Sequence, residues 1–411
     1  MKNIIVGQSG GPTSAINASL YGVIAEAFDH SEEIGHVYGM VNGIEGFLQD
    51  NIIDLTKYAK KYEISYMKNT PSSFLGSCRF KLSESLEEEV YGQIFEKLEK
   101  YDIGAFVYIG GNDSMDTVAK LSTYAAKIGS SIRFIGVPKT IDNDLVMTDH
   151  TPGYGSTIKY IATTLREIIL DAGVYDMPVV TIVELMGRHA GWVTAGSVLA
   201  RTDYDKNPML VYLPEGDFDV DQFIEDVKKA LTVQNSVVVC VSEGISDKEG
   251  VFICEYGDDV AVDGFGHKML AGCGKVLERL VKDKIGCKCR SIEFNLSQRC
   301  SANLASLSDI TEAEMAGRFG VKSALNGETG KMAALVRDEN SDEYKLDMAL
   351  VDVTEVCNQE KKFPEEWITD NGTNIAEEYL AYAMPLIQGE CQVPYENGLP
   401  QYAVPAYKNP L

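Results

Sequence analysis

No stretch of this 411-residue chain approaches the roughly 18 consecutive apolar residues that a membrane-spanning helix needs, so no membrane partner is expected. The opening run Met1 to Gly7 is too short, and too soon interrupted, for a secretory signal; a cytoplasmic protein is expected. Basic residues are scarce, 37 Lys and Arg against 61 Asp and Glu, and the net charge of −24 argues against nucleic acid, whose binding needs a basic surface to release counterions. The same imbalance opposes anionic ligands unless basic residues gather locally and dominate the field of a cleft. Paired cysteines with zinc-knuckle spacing are missing too. The nine cysteines are odd in number and mostly sit singly in apolar runs, as Cys240 does in Val237 to Val241, and Cys287-Lys288-Cys289 lacks the two-residue spacer, so all read as reduced and structural. No low-complexity segment and no internal repeat beyond a strand–helix alternation stands out.

What is present is a series of apolar strands, each ended by a polar or glycine cluster. Asn3 to Val6 leads into Gly7-Gln8-Ser9-Gly10-Gly11-Pro12, where proline suits a first helical position. This turn has no Lys-Ser or Lys-Thr pair, so it is not a Walker loop, and it is not the three-glycine dinucleotide fingerprint. A phosphate pocket and a plain tight turn both remain open for it. Ala105 to Ile109 leads into Gly110-Gly111-Asn112-Asp113-Ser114 and then a helical pattern with Met115, Val118, Leu121, Ala125 and Ile128 on one face. Glycines at a strand-to-helix turn let a ligand approach the backbone, and the free N–H groups of the helix start favour an anion.

A further strand, Ile132 to Val137, ends at Pro138 and is followed at once by Lys139-Thr140-Ile141-Asp142-Asn143-Asp144. A cation, a hydroxyl and two carboxylates at a strand's carboxyl end make this the strongest catalytic candidate, since open α/β sheets place their ligands there. Arg79 follows Gly76-Ser77-Cys78 ahead of a Glu-rich helix expected from Ser83 and could reach a phosphate from a flexible turn. Downstream, a helix carrying Ile158, Ile161, Ala162, Leu165 and Ile169 precedes the strand Val179 to Val183 and the segment Glu184 to Gly191. Strands at Met209 to Leu213 and Ser236 to Val241, a helix from beyond Gly264 to about Leu280, a strand at Cys289 to Phe294, and a hairpin of Lys331 to Val336 with Tyr344 to Val353 complete the pattern. Continuous apolar strands alternating with helices imply parallel sheets covered on both faces, two of them by number. After Phe363-Pro364 an extended tail is expected, ending at Asn409-Pro410-Leu411.

The glycine turns at Gly10 and Gly110, the Pro138 to Asp144 segment, Met186-Gly187-Arg188, Ser242-Glu243-Gly244 and Gln298-Arg299 resemble the phosphofructokinase family in identity, order and spacing, over residues 1 to roughly 320. The resemblance implies an α/β fold of two Rossmann-like, three-layer domains with parallel-rich sheets and a cleft between them. Residues 1–155 would bind the phosphoryl donor, with part of 298–350 returning to that domain; 156–297 would bind fructose 6-phosphate, and 351–411 would be a C-terminal extension. It also implies phosphoryl transfer to the sugar's 1-hydroxyl, a reaction of positioning and charge stabilisation.

Carried over position by position, Asp142 resembles the general base, Thr140 the contact to the transferring group, and Asp144 a partner of the magnesium shell. Gly10, Gly11, Gly111, Asn112, Asp113 and Ser114 would line the donor site. Arg79 and Arg188 would stabilise phosphate charge, Met186, Gly187 and Glu243 would hold the sugar, and Arg290 and Arg299 would clamp its 6-phosphate. Nucleotide-using members carry glycine at the positions of Asp113 and Lys139; a carboxylate at the first repels a further phosphate, and a lysine at the second supplies a cation where a short donor ends. This pair resembles the pyrophosphate-dependent branch, with pyrophosphate and fructose 6-phosphate as substrates and a homodimer or homotetramer as the assembly.

Asn112 stands where the family usually has a magnesium-associated aspartate, and its amide oxygen can still ligate the metal or orient a water with one negative charge fewer; Leu296 stands where the family has a sugar-binding histidine, and Val179 where many members have an arginine reaching a neighbouring subunit. Tyr21 to Ala25 offers no arginines for an effector phosphate. An ATP-dependent member and a non-catalytic sugar-phosphate sensor are the competing readings; retention of Asp142 and Lys139 opposes the second, because a sensor needs no general base.

Overall fold

The alternating strands and helices form two sheets in a computed structural model that describes residues 3–408 apart from 88, 175, 257–271, 339 and 342. Strands β1 (Asn3–Gln8), β2 (Val37–Met40), β3 (Ile52–Asp54), β4 (Ile103–Gly110) and β5 (Arg133–Pro138) belong to the first sheet. The second contains β6 (Val179–Leu185), β7 (Leu210–Tyr212), β8 (Ser236–Ser242) and β9 (Lys288–Glu293). The chain then returns to the first sheet with β10 (Lys331–Arg337) and β11 (Leu346–Asp352), an antiparallel hairpin in which Lys331 faces Asp352. The resulting orders are β11-β10-β5-β4-β1-β2-β3 and β7-β8-β6-β9. Within these two sheets, among the described residues, all pairings are parallel except the two at the edges of the first sheet, β2 with β3 and β10 with β11.

Parallel strands covered on both faces explain the continuous apolar runs. On one side of the first sheet Ile4, Val6 and Val107 pack with Ile16, Leu20 and Val23 of α1 (Ile16–Asp29). On the other, Ile5, Phe106 and Phe134 pack with Met115, Val118 and Leu121 of α2 (Asn112–Ile128). Helix α2 stops at Gly129, which takes φ 68° and donates to the carbonyls of Ala125 and Ala126, the left-handed cap glycine allows. Helix α3 (Tyr154–Ala172) buries Ile158, Ile161, Ala162, Leu165 and Ile169 against the second sheet, as its spacing predicts. Helix α4 (Cys273–Lys284) lies on the opposite face of that sheet. Helix α5 (Leu307–Leu325) crosses α1 at close range; a Cβ at Gly22 would stand 2.2 Å from the Glu314 carbonyl oxygen, and one at Gly317 2.1 Å from that of Ser19.

Four expectations change. Pro12 is not the first helical residue, because α1 begins at Ile16 and the Thr13 hydroxyl accepts the N–H groups of Ala15 and Ile16 at 3.2 and 3.0 Å. The Glu-rich helix is described from Glu89 to Lys100, not from Ser83. The helix expected from Gly264 is described only as Cys273–Lys284, and its 264–271 portion lies outside the described residues. The C-terminal segment is no extended tail: it forms α6 (Glu377–Ala383) and buries Phe363, Tyr379 and Leu386 in the core of the second sheet, with the Phe363 ring 5.0 Å from that of Trp192. Its last expected residues, Asn409 to Leu411, lie outside the described residues.

Candidate active site

The loops leaving the carboxyl ends of β1, β5, β6 and β8 open on one cleft of about 420 Å³. Gly11, Pro12 and Thr13 come from the first loop, Lys139 to Asp142 from the second, Met186, Arg188 and His189 from the third, and Glu243 from the fourth; Arg79 and Arg299 enter from connecting segments. Three arginines and a lysine thus converge in a chain of net charge −24, the local concentration that an anionic ligand requires.

Lys139 leaves the end of β5 and turns inward, where it is only 3% exposed and its Nζ donates to the Gly11 carbonyl at 2.8 Å. A Cβ at Gly10 would crowd that Nζ at 3.2 Å, and Gly10 takes φ 76°, a left-handed backbone that favours glycine. Burial lowers the Lys139 pKa to about 8, with Asp142 and Asp144 opposing the shift.

The turn that follows is braced on several sides. Thr140 Oγ1 accepts the Asp142 N–H at 3.1 Å and lies 3.4 Å from Asp142 Oδ2. Thr151 Oγ1 donates to the Thr140 carbonyl at 2.8 Å, and the Thr151 N–H donates to Asn143 Oδ1 at 3.1 Å. Asn143, held at φ 54°, donates through Nδ2 to the Tyr382 hydroxyl at 2.8 Å. The carboxylates flanking Asn143 are presented by a rigid frame.

Burial raises the pKa of Asp142, with the Lys139 cation pulling the other way. Asp144 is pushed up to about 7 by burial and then by the charge of Asp142, and its Oδ1 is buried without a hydrogen-bond partner. Burial followed by the charge of Asp142 also pushes Glu243 to about 7. A carboxylate whose pKa is raised is a stronger proton acceptor than one at its ordinary value, and this is the direction in which burial moves Asp142.

Glu243 Oε1 accepts the Gly187 N–H at 3.4 Å, and Ser242 Oγ donates to the Gly187 carbonyl at 2.6 Å, so Gly187, at φ 127°, ties the sugar-side loop to the end of β8. Of the residues expected in the site, Gly11, Arg79, Lys139, Thr140, Asp142, Met186, Arg188, Glu243 and Arg299 line the cleft. Gly10 and Gly111 lie directly behind Lys139; a Cβ at Gly111 would be 3.5 Å from its carbonyl oxygen. Ser114 is buried under Gly110, at which a Cβ would stand 1.9 Å from Ser114 Oγ, and Asp113 is exposed on the first turn of α2.

Two expected residues make contacts that the sequence does not suggest. Asn112, expected at the magnesium site, has its amide engaged by the C-terminal segment: its Nδ2 donates to the Gln359 carbonyl, and its Oδ1 accepts the Asn358 N–H at 2.5 Å. An amide can serve both a donor and an acceptor where an aspartate could not, which accounts for asparagine at this position. Arg290 is not brought to the cleft; its guanidinium pairs instead with Asp171 of α3 at 3.7 Å. His189 lines the cleft and was not singled out from the sequence, although it adjoins Arg188; burial lowers its pKa. Leu296 is 55% exposed and does not line the cleft.

The family model named Phosphofructokinase matches residues 3–323. The chain belongs to the phosphofructokinase family. Within that family it is 38% identical over 405 residues to a Methylococcus capsulatus protein named pyrophosphate--fructose 6-phosphate 1-phosphotransferase, covering 98% of this chain and 95% of the relative. A Xanthomonas campestris protein of the same name is 39% identical, with 97% and 95% covered. Among solved structures, the pyrophosphate-dependent phosphofructokinase of Nitrosospira multiformis superposes with a TM-score of 0.89 at 35% identity, covering 98% of this chain and 96% of that one. An ATP-dependent 6-phosphofructokinase of Teredinibacter turnerae is 29% identical over 70% of this chain. The expected phosphofructokinase fold is therefore the one this chain adopts.

Proposed function

We propose that this chain transfers a phosphoryl group from pyrophosphate to the 1-hydroxyl of fructose 6-phosphate, giving fructose 1,6-bisphosphate and phosphate in a reversible reaction. The observation that carries the reading is the buried Lys139 beside Asp142 in a cleft that also holds Arg79, Arg188, Arg299 and Glu243. Asp142 accepts the proton of the 1-hydroxyl as that oxygen bonds to phosphorus, while the bridging P–O bond of pyrophosphate breaks and phosphate leaves with the electron pair. Thr140 keeps the Asp142 carboxylate oriented. Lys139 and Arg79 stabilise the donor's charge, Arg188 and Arg299 hold the sugar phosphate, and Glu243 accepts sugar hydroxyls.

Magnesium fits this site. Among the described residues no group of three or more His, Cys, Asp or Glu converges on one point, yet magnesium in phosphoryl-transfer sites is generally held by one or two carboxylates with substrate phosphates and water. Asp144, with its unpartnered buried oxygen, is the carboxylate that would hold it. When bound it would neutralise donor charge. We also propose that residues 1–155, with strands returning from 298–350, form the donor half and 156–297 the sugar half, that the protein works in glycolysis or gluconeogenesis in the cytoplasm, and that it assembles as a homodimer or homotetramer. Among the described residues no helix is long and apolar enough to cross a membrane.

The test is fructose 1,6-bisphosphate formation with pyrophosphate or with ATP as the sole phosphoryl donor. Turnover with pyrophosphate and little with ATP is expected. Faster turnover with ATP would overturn the assignment of donor, and no transfer from either would favour a non-catalytic sugar-phosphate sensor.

A further inference from the structure

The donor side of the cleft ends where Lys139 crosses beneath Gly10 and Gly11, and beyond it lies the first turn of α2. That turn is covered by the C-terminal segment. The Asn358 N–H donates to Asn112 Oδ1 at 2.5 Å, Asn112 Nδ2 donates to the Gln359 carbonyl, and Asn358 Nδ2 donates to Asp116 Oδ1 one helical turn further on, at 3.3 Å. Asn358 takes φ 60°, a left-handed conformation that asparagine tolerates, and this bends the segment over the helix start.

The segment then crosses to the other half of the molecule. The Lys361 N–H donates to the Asp144 carbonyl at 2.7 Å, Lys362 Nζ donates to the His189 carbonyl at 2.6 Å, and the Phe363 N–H donates to Glu215 Oε1 at 3.1 Å. Phe363 is buried with its ring against Trp192 and Trp367, so the far end cannot swing away without opening a core. Residues 358–363 are thus fastened at both ends, with the covered helix turn under one of them.

Resting on the reading that pyrophosphate is the donor, we propose that residues 358–363 form a strap that closes the donor pocket beyond its second phosphate and bars nucleoside triphosphates. A longer donor laid over the start of α2 would have to displace the Asn358 and Gln359 backbone from Asn112 as well as meet the Asp113 carboxylate. Donor choice therefore has three determinants, the charge at Asp113, the cation at Lys139 and the strap; this is selection by obstruction as well as by attraction. Glycine at positions 113 and 139 removes only the first two.

The test compares Asp113→Gly/Lys139→Gly with the same protein carrying Asn112→Ala and Asn358→Ala in addition, which removes all three side-chain links between the strap and α2. Binding of a non-hydrolysable ATP analogue is measured by calorimetry, and phosphoryl transfer from ATP to fructose 6-phosphate in parallel. The twofold variant is expected to bind the analogue weakly at most and to show no transfer; the fourfold variant is expected to bind it at least about tenfold more tightly. Equal nucleotide binding by the two variants would overturn the proposal, as would no binding by a fourfold variant whose circular dichroism is native. Should the fourfold variant fail to fold, Asn112→Ala in the twofold background, which removes two of the three links, is scored by the same comparison. The wild-type assay with pyrophosphate, run first, tests the functional reading separately, because the strap can fail as a nucleotide barrier while pyrophosphate turnover stands.

Discussion

Gly244 packs so closely beneath Arg188 that a Cβ at position 244 would stand 1.9 Å from the Arg188 carbonyl oxygen and 2.9 Å from its Cα. The obstruction is backbone, so it cannot be relieved by a rotamer change. Gly244→Ala must move the Met186 to His189 loop and with it the Arg188 guanidinium. Steady-state kinetics should show KM for fructose 6-phosphate raised by about tenfold or more, with KM for pyrophosphate changed less. An unchanged sugar-phosphate KM would remove Arg188 from the sugar site.

Asp142→Asn retains size and the hydrogen bond from its N–H to Thr140 but cannot accept a proton. Turnover should fall by about 10² to 10⁴, the range general-base catalysis supplies. Sugar-phosphate binding, followed by calorimetry, should persist. Loss of binding in step with turnover would instead make Asp142 a binding residue.

Lys139 has its pKa lowered to about 8 by burial, so it is cationic below that value and loses its charge as pH rises through it. Attraction for pyrophosphate should therefore weaken on the alkaline side, visible as KM for pyrophosphate rising above about pH 8. Lys139→Met should show a high and pH-independent KM across the same range. A flat wild-type profile up to pH 10 would contradict the role given to this ammonium group.

His150 is buried between Asp149 and Glu312, at 2.7 and 2.8 Å. Burial alone would lower its pKa from 6.5, but the two hydrogen-bonded carboxylates prevail and raise it to about 9. A folded-state pKa above the unfolded value means stabilisation that is complete below about pH 6.5 and is lost as pH rises through about 9. Urea unfolding should show a decline of up to ~3 kcal/mol over that window, absent from His150→Gln. Equal pH dependence in the two proteins would assign the charge to another group.

Much of this molecule is legible in its sequence because parallel strands covered on both faces must be apolar throughout. The runs 3–6, 105–109, 179–183 and 236–241 are all found as strands. The hairpin of β10 and β11 and the apolar face of α3 follow equally local rules. Residues 139 to 144 stand out for a chemical reason, since a lysine, a threonine and two aspartates directly after a buried strand have no role in the core.

The elements the sequence did not reveal share one cause. Asn112 is decided by Asn358 and Gln359, some 246 residues away, through backbone groups that any residue could offer and that leave no pattern to read. Arg290 is of a type that binds phosphate, but the register of β9 places it beside the Asp171 carboxylate and outside this chain's own cleft. Pro12 obeys a helix-start rule that Thr13 overrides by accepting two N–H groups further along. The sequence by itself determined the two sheets, the glycine turns and the residues able to carry phosphoryl transfer, because burial period and side-chain chemistry are local properties. Only the tertiary structure decided which of those residues share a cleft and what covers the start of α2, because those outcomes depend on backbone atoms brought together from distant parts of the chain.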